Sequence, residues 1–60
     1  MKEILTKYIQ SNDNWDCIIV DYWNIDGANC EVVYYTDNSK HYKETKNVNV
    51  WDMLIFLNKL

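Results

Sequence analysis

Residues 15–35 read WDCIIVDYWNIDGANCEVVYY, from Trp15 to Tyr35. The run is rich in β-branched and aromatic side chains, which suit a pleated, half-buried surface. It breaks once, at Asp26-Gly27, a strong hairpin signal that holds the chain's only glycine. Two antiparallel strands follow, from Trp15 to Trp23 and from Asn29 to Tyr35. A two-residue turn centred on Asp26-Gly27 sets Trp23 opposite Cys30 and Tyr22 opposite Glu31.

Upstream, Met1 to Gln10 predicts an amphipathic helix. Ile4, Leu5, Tyr8 and Ile9 fall on one stripe, with Lys2, Glu3, Thr6, Lys7 and Gln10 on the other side. Ser11-Asn12-Asp13-Asn14 is turn chemistry and ends it. Downstream, Thr36 to Lys40 is a second turn. His41 to about Lys46 then reads as a polar third strand, and its lysines suit a sheet edge. A turn centred on Asn38-Ser39 sets Tyr35 opposite Tyr42 and Glu31 opposite Lys46, the latter an opposite-charge pair. Asn47 or Asn49 can cap a closing helix from about Val50 to Leu60, and Asp52 three residues beyond Asn49 approximates a capping box. The element order is therefore α-β-β-β-α. The expected fold is one small α+β domain over residues 1–60, with a three-stranded antiparallel sheet and both helices on one face.

Strand side chains alternate between faces. One face collects Trp15, Cys17, Ile19, Trp23, Cys30, Val32 and Tyr34, with Asp21 among them. The other collects Ile18, Val20, Tyr22, Val33 and Tyr35, with Asp16 and Glu31. The first has fewer charges and is expected to be the core, which leaves the second as an exposed apolar band. On the closing helix, Val50, Met53, Leu54, Phe56, Leu57 and Leu60 cover the core-facing arc. Trp51 and Ile55, at i and i+4, fall together on the polar side as a candidate interaction anchor. Apolar surplus on two surfaces of so short a chain predicts that a second copy covers one of them.

The whole chain is 60 residues long, a size at which burial is marginal without help from a disulfide, a metal or a partner. Hydrophobic residues make up 48% and charged residues 25%, which is globular rather than disordered composition. No apolar run approaches the ~18 residues of a membrane span, and Met1-Lys2-Glu3, leading into mixed polar sequence, is not expected to open a secretory leader. Nine acids oppose six lysines and no arginine, for a net charge of −3, and six of the acids lie between Tyr8 and Ser39 where there is no lysine. That balance lacks the basic footprint of a nucleic-acid binder. It leaves an acidic stretch suited to steering toward a basic protein surface. Eight asparagines, six lysines and no arginine or proline are the composition of AT-rich genes, as in low-GC bacteria and their phages.

The chemistry-bearing residues are sparse. In the expected register Cys17 and Cys30 stand roughly 20 Å apart at ~3.3 Å per residue, beyond the ~7 Å between Cα atoms that a disulfide allows. They are expected as free thiols in a reducing cytoplasm. One histidine and two cysteines without local ligand spacing predict no metal site. Ser11, Ser39 and His41 sit in turn or polar-strand positions. A chain of this size has little room for a pocket of ~300 Å³ beside its core. No cofactor and no enzymatic activity are expected.

The element order resembles that of double-stranded-RNA-binding domains. That family carries a basic run at the start of its second helix, where this chain reads Asn47-Val48-Asn49-Val50-Trp51-Asp52. In size, acidity and architecture the chain resembles small phage-encoded inhibitors of bacterial defence systems, anti-CRISPR proteins among them. This resemblance implies a non-enzymatic inhibitor or adaptor in the bacterial host cytoplasm that binds a host protein. The apolar surplus adds the expectation of a homodimer, and the charge balance and hydropathy that of no nucleic-acid or membrane partner. The expected contact residues are Trp51 and Ile55 on the helix and Ile18, Val20, Tyr22, Val33 and Tyr35 on the sheet, with Asp16, Asp21, Asp26, Glu31 and Asp37 as the acidic steering groups. A self-associating assembly module is the alternative.

Overall fold

The structure, a computed structural model, describes residues 1–59. Its elements run α1 (Lys2–Asp13), β1 (Ile19–Asp26), β2 (Asn29–Tyr35), β3 (Lys43–Asn49) and α2 (Val50–Asn58). The sheet is antiparallel in the order β1-β2-β3, so β1 and β3 are both edges. Leu5 and Ile9 of α1 and Met53 of α2 share one buried cluster with Val20, Cys30, Val32, Tyr34 and Val48 of the sheet. Both helices therefore cover the same sheet face, and the expected α+β fold is the fold observed. Tyr8 and Phe56 close the seam between the helices, edge to face at 5.3 Å.

α1 runs three residues past its expected end. Ser11, Asn12 and Asp13 continue it in solvent, and Asn14 stops it in the left-handed region at φ 57° and ψ 39°. Asparagine is among the few non-glycine residues that adopt this conformation, and here it fills the usual glycine role at a helix end. The backbone N–H groups of Asn14 and Trp15 both donate to the Gln10 carbonyl, Trp15 at 3.2 Å. At the other end of the chain Asn49 is the cap of α2. Its side-chain oxygen accepts from the Asp52 N–H at 3.1 Å. The expected extension of this helix to Leu60 falls outside the described residues.

The registers differ from expectation in two ways. The first hairpin turns on Gly27-Ala28 rather than Asp26-Gly27, so Trp23 faces Val32, Tyr22 faces Val33 and Ile25 faces Cys30. Gly27 takes a positive φ of 64°, the conformation that places glycine in a tight hairpin turn. In addition, β1 is bulged between Val20 and Tyr22, with Asp21 as the extra residue. The bulge resets the alternation. Val20 pairs with Tyr34 on the helix side, and so do Trp23 with Val32 and Ile25 with Cys30, although Val20 and Trp23 are three apart. Ile18 and Val20, expected on the exposed face, are in consequence core residues at 8% and 2% exposure. Trp15, Cys17, Ile19 and Trp23, expected in the core, are outside it.

The second hairpin is displaced by one residue. Lys40 takes a left-handed φ of 57°, and the Asp37 carboxylate accepts from the His41 and Tyr42 N–H groups. The loop is one residue longer than a turn centred on Asn38-Ser39 allows, so Tyr35 faces Lys43 and Glu31 faces Asn47. A one-residue slip exchanges the faces of a strand. It brings Val48 into the core opposite Cys30 and turns Lys46 to the helix side, where it meets Asp13 at 3.3 Å instead of Glu31.

Candidate protein-binding surfaces

α2 carries the clearest surplus. Met53 is buried, with Val50 and Leu57 packed against the core beside it. A helix turns 100° per residue, so Trp51, Leu54 and Ile55 occupy the outer arc. They are 66%, 46% and 56% exposed. Leu54, expected to face the core, belongs to this outer stripe. Its position three residues after Trp51 and one before Ile55 places three large apolar side chains on two turns. Helical periodicity alone places it inward, but the core takes a narrower arc of α2, centred on Met53 with Val50 and Leu57 beside it.

The face of the sheet opposite the helices is mixed rather than apolar. Tyr22 is exposed there, Val33 and Tyr35 are half-buried, and the Tyr22–Val33–Thr45 pairing row separates two polar ends. At one end Lys43 lies 3.8 Å from the Asp21 carboxylate and its ammonium stands 5.4 Å from the Tyr35 ring centroid. At the other end Asn24, Asp26, Asn29, Glu31 and Asn47 line a shallow depression of about 210 Å³. The exposed band expected from alternation is thus reduced to Tyr22 with its half-buried neighbours, because the bulge moves Ile18 and Val20 to the other side.

The six acids of the lysine-free stretch between Tyr8 and Ser39 separate into two groups. Asp13, Asp21 and Asp37 stand beside Lys46, Lys43 and His41 respectively. Asp16, Asp26 and Glu31 are exposed and, among the described residues, form no ion pair. On the open face of the sheet the free negative charge therefore lies at the first-hairpin end, on Asp26 and Glu31, while Glu44 of β3, opposite Tyr34, is exposed and, among the described residues, unpaired at the other end.

Both cysteines are free thiols. Cys17 donates to the Asn38 side-chain oxygen at 3.2 Å and so ties the α1–β1 connection to the second hairpin loop. Cys30 is fully buried, and burial pushes its thiol above the ordinary 9.0. Tyr34 is held above its ordinary 10.0, first by burial and then by the Asp13 carboxylate, while the Trp15 side chain and Lys46 pull the other way. Among the described residues no three His, Cys, Asp or Glu side chains converge as a metal site, and no helix is long and apolar enough to cross a membrane.

No family model, no curated protein and no solved structure matches this chain. The surfaces themselves carry the functional argument.

Proposed function

We propose that this chain is a non-enzymatic inhibitor or adaptor of phage or mobile-element origin that, as a homodimer, binds a bacterial protein of the defence or nucleic-acid-handling kind. The observation that carries the reading is the Trp51–Leu54–Ile55 stripe. A tryptophan flanked by two aliphatics on the outside of a short helix costs solubility. It is the chemistry of an interface anchor, where aromatic side chains supply most of the affinity. Asp16, Asp26 and Glu31 add a field that favours a basic partner surface and speeds encounter with it.

The test is a tagged pull-down from a low-GC bacterial lysate after nuclease treatment, run beside Trp51→Glu. One stoichiometric protein retained by the native chain and lost by the variant supports the reading and names the target. Equal retention by both sets the stripe aside. Once a target is in hand, Asp26→Lys with Glu31→Lys is expected to slow association and flatten its dependence on salt. Unchanged kinetics would remove the steering role. A self-associating assembly module is the second reading, and the uncovered edge of β1 favours it.

A further inference from the structure

The two sheet edges are unlike each other. β3 reads Lys43-Glu44-Thr45-Lys46-Asn47-Val48-Asn49, with charges of both signs along it. That is the usual protection of a free edge against another strand. β1 reads Ile19-Val20-Asp21-Tyr22-Trp23-Asn24-Ile25-Asp26 and has no lysine. Its backbone hydrogen bonds are confined to the β2 ladder: among the described residues none of the loop, turn or cap bonds involves residues 19–26. Trp23 and Ile25 face the helix side, opposite the fully buried Val32 and Cys30, yet remain 37% and 46% exposed. The helices leave this corner of their own face uncovered.

We propose that the outer edge of β1 is the homodimer interface, formed by antiparallel pairing with β1 of a second copy about a two-fold axis. The inference rests on the homodimeric form proposed above and locates it. Two conditions on β1 select the register, and the cross-strand pairs that result select a second copy as the occupant. The bulge at Asp21 ends the regular stretch, leaving Tyr22 to Asp26 free to pair. Directly opposed residues must lie on the same side of the joined sheet, which excludes registers that set Trp23 against Asn24 of the other copy. Centring the remaining five residues on Asn24 satisfies both conditions. Asn24 then faces its own counterpart. Trp23 faces Ile25 of the second copy, twice over, on the helix side. Tyr22 faces Asp26 on the open side. An aromatic set against a β-branched side chain is a favourable cross-strand pair, and no two acids are opposed. The interface is isologous, so it closes at two copies and leaves only the charged β3 edges free.

The test uses the purified protein alone, so its result is independent of any host target. Light scattering at about 200 µM is expected to give twice the 7.3 kDa chain mass for the native protein. Asn24→Lys sets two lysines against each other at the axis and is expected to return the mass to one chain with an unchanged circular dichroism spectrum. Trp51→Glu is expected to leave the dimer intact. Asn24→Cys in a Cys17→Ser background is expected to crosslink under mild oxidation, since directly opposed Cα atoms are within disulfide reach. Asp21→Cys in the same background is expected not to. The crosslink decides the matter should Asn24→Lys fail to fold. A single-chain mass at every concentration, a dimer dispersed by Trp51→Glu but not by Asn24→Lys, or assemblies growing beyond two copies would each overturn the proposal.

Discussion

Single residues set the ends and faces of this fold. Asn14 terminates α1 from the left-handed region. Asn14→Ala is expected to cost about 1 kcal/mol, because a Cβ without asparagine's local hydrogen bonding is disfavoured there. Asn14→Gly is expected to hold stability or raise it, and urea denaturation of the pair checks both signs. Asn49→Ala removes the α2 cap and is expected to cost about 1 kcal/mol in the same assay. Tyr34 and Cys30 make a pH prediction. Each has a folded-state pKa above its unfolded value, so the unfolded chain ionises first as pH climbs. The stability they contribute is fully present below 9.0 for Cys30 and 10.0 for Tyr34, and is lost as pH rises through their higher folded values. The urea midpoint, followed from neutral to alkaline pH, is expected to fall across that window. Tyr34→Phe is expected to fall less steeply above 10.0. An identical slope in the variant would remove burial of the phenol as the cause.

Among elements, β1 is the strand that departs most from its sequence. The order of elements was legible because each rests on a local signal: the Leu5–Ile9 spacing, the aromatic and β-branched runs, Gly27, and the Asn49–Asp52 cap. The faces of β1 were not legible. Alternation is a parity argument, and one extra residue reverses everything beyond it. Asp21 is that residue, and nothing in its immediate neighbours marks a bulge. The same parity misplaced β3, where the left-handed Lys40 lengthens the turn and carries Val48 inward. Val48 is an isolated apolar residue between two asparagines, the one signal that could have corrected the register. For the candidate surfaces, Trp51 and Ile55 were legible from helical spacing, whereas Leu54 required knowing how little of α2 the sheet meets. The bulge makes its own prediction. Deleting Asp21 rejoins Val20 and Tyr22 as consecutive residues opposite Tyr34 and Val33, so every side chain keeps its face. The deletion is expected to fold with a dispersed amide NMR spectrum and a midpoint near that of the parent. Only the exposed Asp21–Lys43 pair is lost, and such pairs contribute little. Deleting Asn24 instead reverses the faces of one side of the strand and is expected to abolish cooperative unfolding.

At the scale of the whole molecule, the core is small enough that single truncations consume most of its stability. Leu5 and Ile9 are the fully buried side chains of α1. Leu5→Ala or Ile9→Ala is expected to cost about 2–5 kcal/mol. A domain of this length has only about 3–9 kcal/mol in total. Thermal unfolding of either variant is expected to begin near room temperature. The dimer proposed at the β1 edge would raise that ceiling by mass action, so the native midpoint is expected to rise with protein concentration, and that of Asn24→Lys to stay level.

The junction between β3 and α2 has no slack. Asn49 is at once the last residue of the strand and the cap of the helix, and the Val50 N–H donates to the Ala28 carbonyl in the first hairpin at 2.8 Å. The helix that carries Trp51 cannot swivel without breaking the end of the sheet. A partner of the kind proposed would therefore meet the tryptophan already aimed, and docking would not have to freeze a wandering arm. Loosening that joint with two glycines after Asn49 should leave the stripe's chemistry untouched. Calorimetry on the captured complex should then show weaker binding through a larger entropic penalty.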